Sequence, residues 1–237
     1  MKICFAALFL MSAMFTAIGQ SGEMTKGTKP LIDAGATAKA AFDAHGGAKL
    51  KLIKTLVIKG GVDVIVQTQS LPGGFSTVIS GDKYILDIQT TFQSIKQTFD
   101  GTNTVSSLNG ITLPPVTTLG FPLLPKFGDN GYVVSPVPVG KRKEKGFRLT
   151  APDGFYTDFY LDEKTGLISS YESAYEMNGR TFTTSIVVDK YRVVDGITIP
   201  ERYSQRFDLG PITAYANFKA KDILFNSKID DAVFGGK

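Results

Sequence analysis

Few side chains in this 237-residue chain could carry polar chemistry: there is one histidine, His45, and one cysteine, Cys4. A His/Cys zinc centre needs three or four such ligands and cannot be assembled. Cys4 lies inside an N-terminal apolar run, so no Cys/His nucleophile is available. A Ser/His/Asp arrangement would depend on His45 alone. That residue stands beside Gly46-Gly47 at the end of a helical pattern, where it reads as a cap whose imidazole suits the last carbonyls and the helix dipole.

Carboxylates remain, because a glycosidase needs only two acids at a set separation. Asp63, Asp87, Asp158, Glu172, Glu176 and Glu201 fall in strand-like segments. Each alternates with apolar neighbours, which predicts an outward, solvated side chain. The chain has no Trp to stack on a sugar. Gly46-Gly47 and Gly60-Gly61 lack the Lys and Ser/Thr of a phosphate loop. Asp129-Asn130-Gly131 and Asp162-Glu163-Lys164-Thr165-Gly166 offer too few oxygens for calcium and read as turns. The net charge of +4 is dispersed except at Lys141-Arg142-Lys143-Glu144-Lys145, read as a solvated hairpin turn between Val139 and Phe147. Basic and aromatic residues do not cluster, so nucleic acid is not an expected partner. The reading is therefore a binding protein with no catalytic residues, no metal and no cofactor.

The elements that must position a site divide the chain into three parts. Lys2, the apolar run Ile3 to Ile18 and the small residues Ala17 and Gly19 have the pattern of a signal peptide, residues 1–19, cleaved to leave Gln20 first. About sixteen apolar residues fall short of the roughly twenty that span a bilayer. Residues 20–29 read as a polar linker, and 30–237 as one domain without disulfides, thiols or a transmembrane segment.

Within that domain Pro30 marks a helix start, and Leu31, Ala34, Ala38, Ala41 and Phe42 follow at helical spacing up to about Ala44. From Thr55 the period becomes two, with a bulge or bend expected at Gly60-Gly61. Further strands are predicted at 75–80, 83–89, 92–99, 131–139, 146–150, 155–161, 167–175, 180–193, 197–207 and 212–225. Short turns such as Gly81-Asp82, Asn178-Gly179, Asp195-Gly196 and Gly210-Pro211 separate them. Connections this short join antiparallel neighbours. The predicted fold is mainly β: a large curved antiparallel sheet, an unclosed half-barrel, with the N-terminal helix packed against its concave face. One segment breaks the pattern. Ile111 to Phe127 is apolar yet holds four prolines, and reads as a flap over the concavity.

Several segments taken in order carry a resemblance: Ala44-His45-Gly46-Gly47 with Leu50 to Lys59, Thr98-Phe99-Asp100-Gly101, Tyr160 to Leu167, Tyr191 to Pro200 and Ile229 to Phe234. Together they resemble the outer-membrane lipoprotein-sorting superfamily, the LolA/LolB-like carriers and their periplasmic relatives. The resemblance implies an unclosed antiparallel barrel over helices, with an apolar cavity for acyl chains. Asp100-Gly101 is followed here by Thr102-Asn103-Thr104-Val105, where relatives usually place a Trp. The lid region is proline-rich instead of helical, and no Arg matches the carriers' gating arginine.

The function this combination predicts is a periplasmic, monomeric carrier or binding protein for a hydrophobic ligand, an acyl chain or lipoprotein. Burying a fourteen-carbon chain would contribute on the order of 10 kcal/mol before ordering costs. The expected lining is Leu113, Phe121, Leu123 and Leu124 from the flap with Tyr84, Leu86, Phe159, Tyr171 and Tyr175 from strands. The alternative is an envelope scaffold that docks a protein partner through the flap or a sheet edge and has a filled interior.

Overall fold

The computed structural model describes residues 33–235 except 109–111, 114, 118, 139–143, 178–179 and 209–212. The expected leader and linker, the Pro30 helix start, most of the basic run and the Asn178-Gly179 and Gly210-Pro211 turns lie outside the described residues, as do three positions of the flap. Helix α1 spans Ala34–Ala44, with Asp33 as its N-cap accepting the Ala36 N–H at 3.1 Å. Its buried face is Ala34, Thr37, Ala38 and Ala41. Side chains this small let a helix lie close against a sheet. A single turn, α2 (Ala48–Lys51), follows.

Among the described residues twelve strands form one sheet: β1 Thr55–Val66, β2 Gln69–Ser80, β3 Lys83–Thr90, β4 Ser94–Phe99, β5 Thr104–Ser106, β6 Val133–Ser135, β7 Gly146–Thr150, β8 Tyr156–Leu161, β9 Ile168–Met177, β10 Arg180–Val194, β11 Ile197–Asp208 and β12 Thr213–Phe225. Their order is β5-β4-β3-β2-β1-β12-β11-β10-β9-β8-β7-β6, and every pairing is antiparallel. The sheet is curved and does not close into a barrel. The expected bulge is present: the β1/β12 register shifts between Lys59 and Gly60. Only glycine fits there, since a Cβ at Gly60 would lie 2.1 Å from the Lys219 carbonyl oxygen.

This order has a topological consequence. β5 and β6 are consecutive in the chain but occupy opposite edges of the sheet. The segment between them must therefore cross the open side of the half-barrel, and it carries the proline-rich stretch with it. A 3-10 helix, Phe121–Lys126, forms the second part of this crossing.

The core is one continuous cluster, and the crossing segment belongs to it. α1 packs beside β7 and β6, and α2 beside the 3-10 helix. Leu123, Leu124, Phe147, Leu149, Phe159, Ile168 and Leu50 are fully buried there. Ring contacts tie it together: Phe147 stacks on Phe159 at 5.1 Å, and Phe42 meets Phe127 at 5.5 Å.

Candidate functional site

A cavity of about 130 Å³ lies between the concave face and the first part of the crossing segment. Period-two alternation puts one side chain in two on this face. β1 to β3 contribute Leu56, Ile58, Thr77, Ile79, Leu86 and Ile88. β9 to β12 contribute Tyr171, Ser173, Thr184, Ile186, Tyr203, Gln205, Phe207 and Phe218. The cover consists of Leu113, Pro115, Val116, Leu119, Gly120 and Pro122. No carboxylate, imidazole, amine or guanidinium is among these lining residues. A cavity of roughly 150 Å³ lined by apolar groups takes up benzene, so this partly open space holds a group of that size and not a whole fourteen-carbon chain.

Two buried polar side chains pin the cover at its ends. Gln97 on β4 is fully buried; its Oε1 accepts the Leu113 N–H at 2.7 Å and its Nε2 donates to the Leu113 carbonyl at 2.9 Å. The same Nε2 lies 2.7 Å from the Tyr84 hydroxyl. At the other end the Gly120 N–H donates to Thr157 Oγ1 at 2.9 Å, and that hydroxyl bonds Ser173 Oγ at 2.9 Å. Gly120 has φ +72°, and a Cβ there would lie 2.7 Å from Cε2 of Tyr171. The strap thus rests directly on the Tyr171 ring. Burial pushes the Tyr171 phenol well above the usual range, while a hydrogen bond with the Phe121 backbone acts in the opposite direction.

The structure distributes the nine expected lining residues over three places. Leu86, Leu113 and Tyr171 line the cavity. Tyr84, again with Leu113, lines a wider groove of about 540 Å³ where the β3–β5 edge faces the β7–β8 turn. Leu123, Leu124 and Phe159 are fully buried in the core, Phe121 packs edge-on to His45 at 5.1 Å, and Tyr175 stacks on Phe182 at 5.6 Å. The described part of the flap therefore divides: Leu113, Pro115, Val116, Leu119, Gly120 and Pro122 cover a cavity, and Phe121, Leu123 and Leu124 are core. The lining residues not anticipated, Thr77, Thr184, Tyr203 and Gln205 above all, share the alternation that marked Leu86 and Tyr171.

His45 corrects an expectation. It does cap α1, its N–H donating to the Ala41 carbonyl at 3.1 Å, but the ring is fully buried and does not serve the helix dipole as a cation. Nδ1 lies 2.6 Å from the Thr198 carbonyl and so carries the proton; Nε2 accepts the Ile168 N–H at 3.0 Å. The Thr198 N–H returns a bond to the His45 carbonyl at 3.1 Å. Desolvation lowers its pKa to about 4, with the Thr198 bond acting against it. A neutral imidazole therefore joins α1 to β9 and β11.

The carboxylates are a second correction. Asp87, Asp158 and Glu172 do alternate with inward residues, but Asp158 and Glu201 are both only 8% exposed and not solvated. Arg148 holds Asp158 through two parallel bonds of 2.6 and 2.8 Å while lying 3.7 Å over the Tyr156 ring. Arg192 and Lys190 hold Glu201 at 3.0 and 3.1 Å, and these cations keep its carboxyl below the ordinary range. Buried acids are retained where a guanidinium supplies fixed, bidentate neutralisation. None of them faces the cavity.

Comparison with known proteins gives no matching family model and no matching curated protein. Solved structures do match. A DUF1329 family protein from Desulfovibrio piger is similar over 85% of this chain and 96% of its own, at 9% identity and a TM-score of 0.50. A LolA superfamily protein from Nitrosomonas europaea is similar over 86% and 97%, at 10% identity and a TM-score of 0.51. At this identity the likeness concerns the fold, and the fold of this chain is LolA-like.

Proposed function

We propose that this chain is an exported binding or carrier protein that shelters an apolar group, an acyl chain of a lipid or lipoprotein, between the concave face and the 113–120 strap, without catalysing a reaction. The observation that carries this reading is an apolar cavity covered by a strap instead of by strand pairing. A cover held by a few buried hydrogen bonds can lift without breaking the sheet. Sheltering a full acyl chain requires that movement, because the space under the strap is only about 130 Å³. Among the described residues the lining holds no acid or base, which supports storage over turnover. The leader-like N-terminus supports a periplasmic location, and among the described residues no helix is long and apolar enough to cross a membrane.

Delipidated protein titrated with the neutral dye N-phenylnaphthylamine tests the proposal. Saturable micromolar uptake is expected, together with a co-purifying lipid in organic extracts analysed by mass spectrometry. Absence of both would remove the carrier reading and leave docking of a protein partner as the better account.

A further inference from the structure

One wall of the cavity is polar but uncharged. Thr184 Oγ1 donates to the Arg206 carbonyl at 3.0 Å and accepts from Gln205 Nε2 at 2.9 Å, so its capacity is largely used. Ser173 is engaged with Thr157 at 2.9 Å. Two groups on β11 are not used up. Among the described residues, neither the Tyr203 hydroxyl nor Gln205 Oε1 has a hydrogen-bond partner, and both residues line the cavity. They stand two apart on one strand and so share a face, about 7 Å apart along it. The Tyr203 ring is fixed by stacking on Phe218 at 4.8 Å. Burial and the neighbouring Tyr171 hold its phenol protonated far above neutral pH. The wall therefore offers a hydroxyl donor, an amide acceptor and one further amide proton.

We infer that the part of the ligand that meets β11 carries an uncharged oxygen function, an alcohol, ester or amide, which Tyr203 and Gln205 hydrogen-bond, and that a free carboxylate is rejected. The inference rests on the proposal that the cavity takes an apolar ligand. An ionised carboxylate in this space would lose its water and meet no cation, a far larger penalty than any hydrogen bond could offset. A neutral oxygen loses less and regains a partner. Unpaired polar groups in an otherwise apolar pocket select for the matching ligand group, because the analogue lacking it leaves them unsatisfied.

Three probes of benzene size, toluene, benzyl alcohol and benzoate, test this on the full-length protein at pH 8 by ligand-observed NMR. Toluene and benzyl alcohol are expected to bind saturably, and benzoate at least tenfold more weakly than the alcohol. In Tyr203→Phe and in Gln205→Leu the ratio of alcohol to toluene affinity should fall about fivefold, the worth of one hydrogen bond. Benzoate binding as well as the alcohol, or a ratio unmoved in both variants, would overturn the inference while toluene binding left the carrier reading standing. Failure of toluene and the alcohol alike would overturn both.

Discussion

The side-chain amide of Gln97 pairs with both backbone groups of Leu113, accepting at 2.7 Å and donating at 2.9 Å, as a neighbouring strand would. A proline-rich segment has few donors to offer a ladder, and this fully buried side chain stands in for the missing strand. Gln97→Leu keeps the volume but leaves two backbone groups unpaired. Each unsatisfied group costs about 1–3 kcal/mol while buried, so the strap should lift into water instead. Faster hydrogen exchange at the Leu113 amide, with faster dye uptake, is the expected result; unchanged exchange would show that other contacts hold the strap.

At the far end, Gly120→Ala meets both a left-handed backbone and the Tyr171 ring. Strain of this kind costs about 1–3 kcal/mol. The measurement is the urea midpoint, which should fall without a change in slope.

Cavity and core should answer differently to substitution. Thr77→Phe points new apolar volume into the cavity and should lower dye affinity at least tenfold with stability maintained. Leu123→Asp buries a charge in solid core and should yield no folded protein by circular dichroism. If the Leu123 variant folds and merely loses binding, the strap's second half belongs to the site after all.

The pH dependence follows from His45. Its pKa is near 6.5 in the unfolded chain and about 4 in the fold, so between these values the unfolded state binds more protons. Stability therefore rises with pH from about 4 to 6.5 and is level above, a change of about 3 kcal/mol. Denaturant titrations across this window should show the slope, and His45→Gln should flatten its upper part, leaving near pH 4 the part that paired carboxylates such as Glu201 contribute.

Much of the fold was legible because alternation in the strands is strict and the turns are short. β2 begins at Gln69 and not at the expected Phe75, a stretch in which Pro72-Gly73-Gly74 interrupts the alternation. Its pairing explains why a proline is tolerated: Pro72 faces Asp63 on β1, but β3 joins only from Gly73, so the strand is locally an edge. At three residues β5 is too short to show alternation, and within the described part of the predicted strand 131–139 only Val133–Ser135 is strand. The Pro30 helix start lies outside the described residues, within which Asp33 supplies the side-chain cap of α1.

The site was read less well, for a reason of topology. The aromatic residues of β8 and β9 point to a site there, yet apart from Tyr171 that half is filled by the helices and Leu123-Leu124. The hollow lies where β1 meets β12, and pairing between the first and last strands of a sheet leaves no local trace in either. Tyr203 and Gln205 acquire their importance only through that pairing.

The crossing of the strap between the outermost strands makes the domain a ring completed partly by hydrogen bonds and partly by covalent chain. Its circumference is then set by how many residues the covalent arc contains. Lengthening that arc with a few Gly and Ser residues would slacken the cover while leaving the contacts among the strands in place, and shortening it would draw the two margins together. Capacity in such a ring is adjustable by insertion and deletion in the arc, independently of the side chains that the strands present.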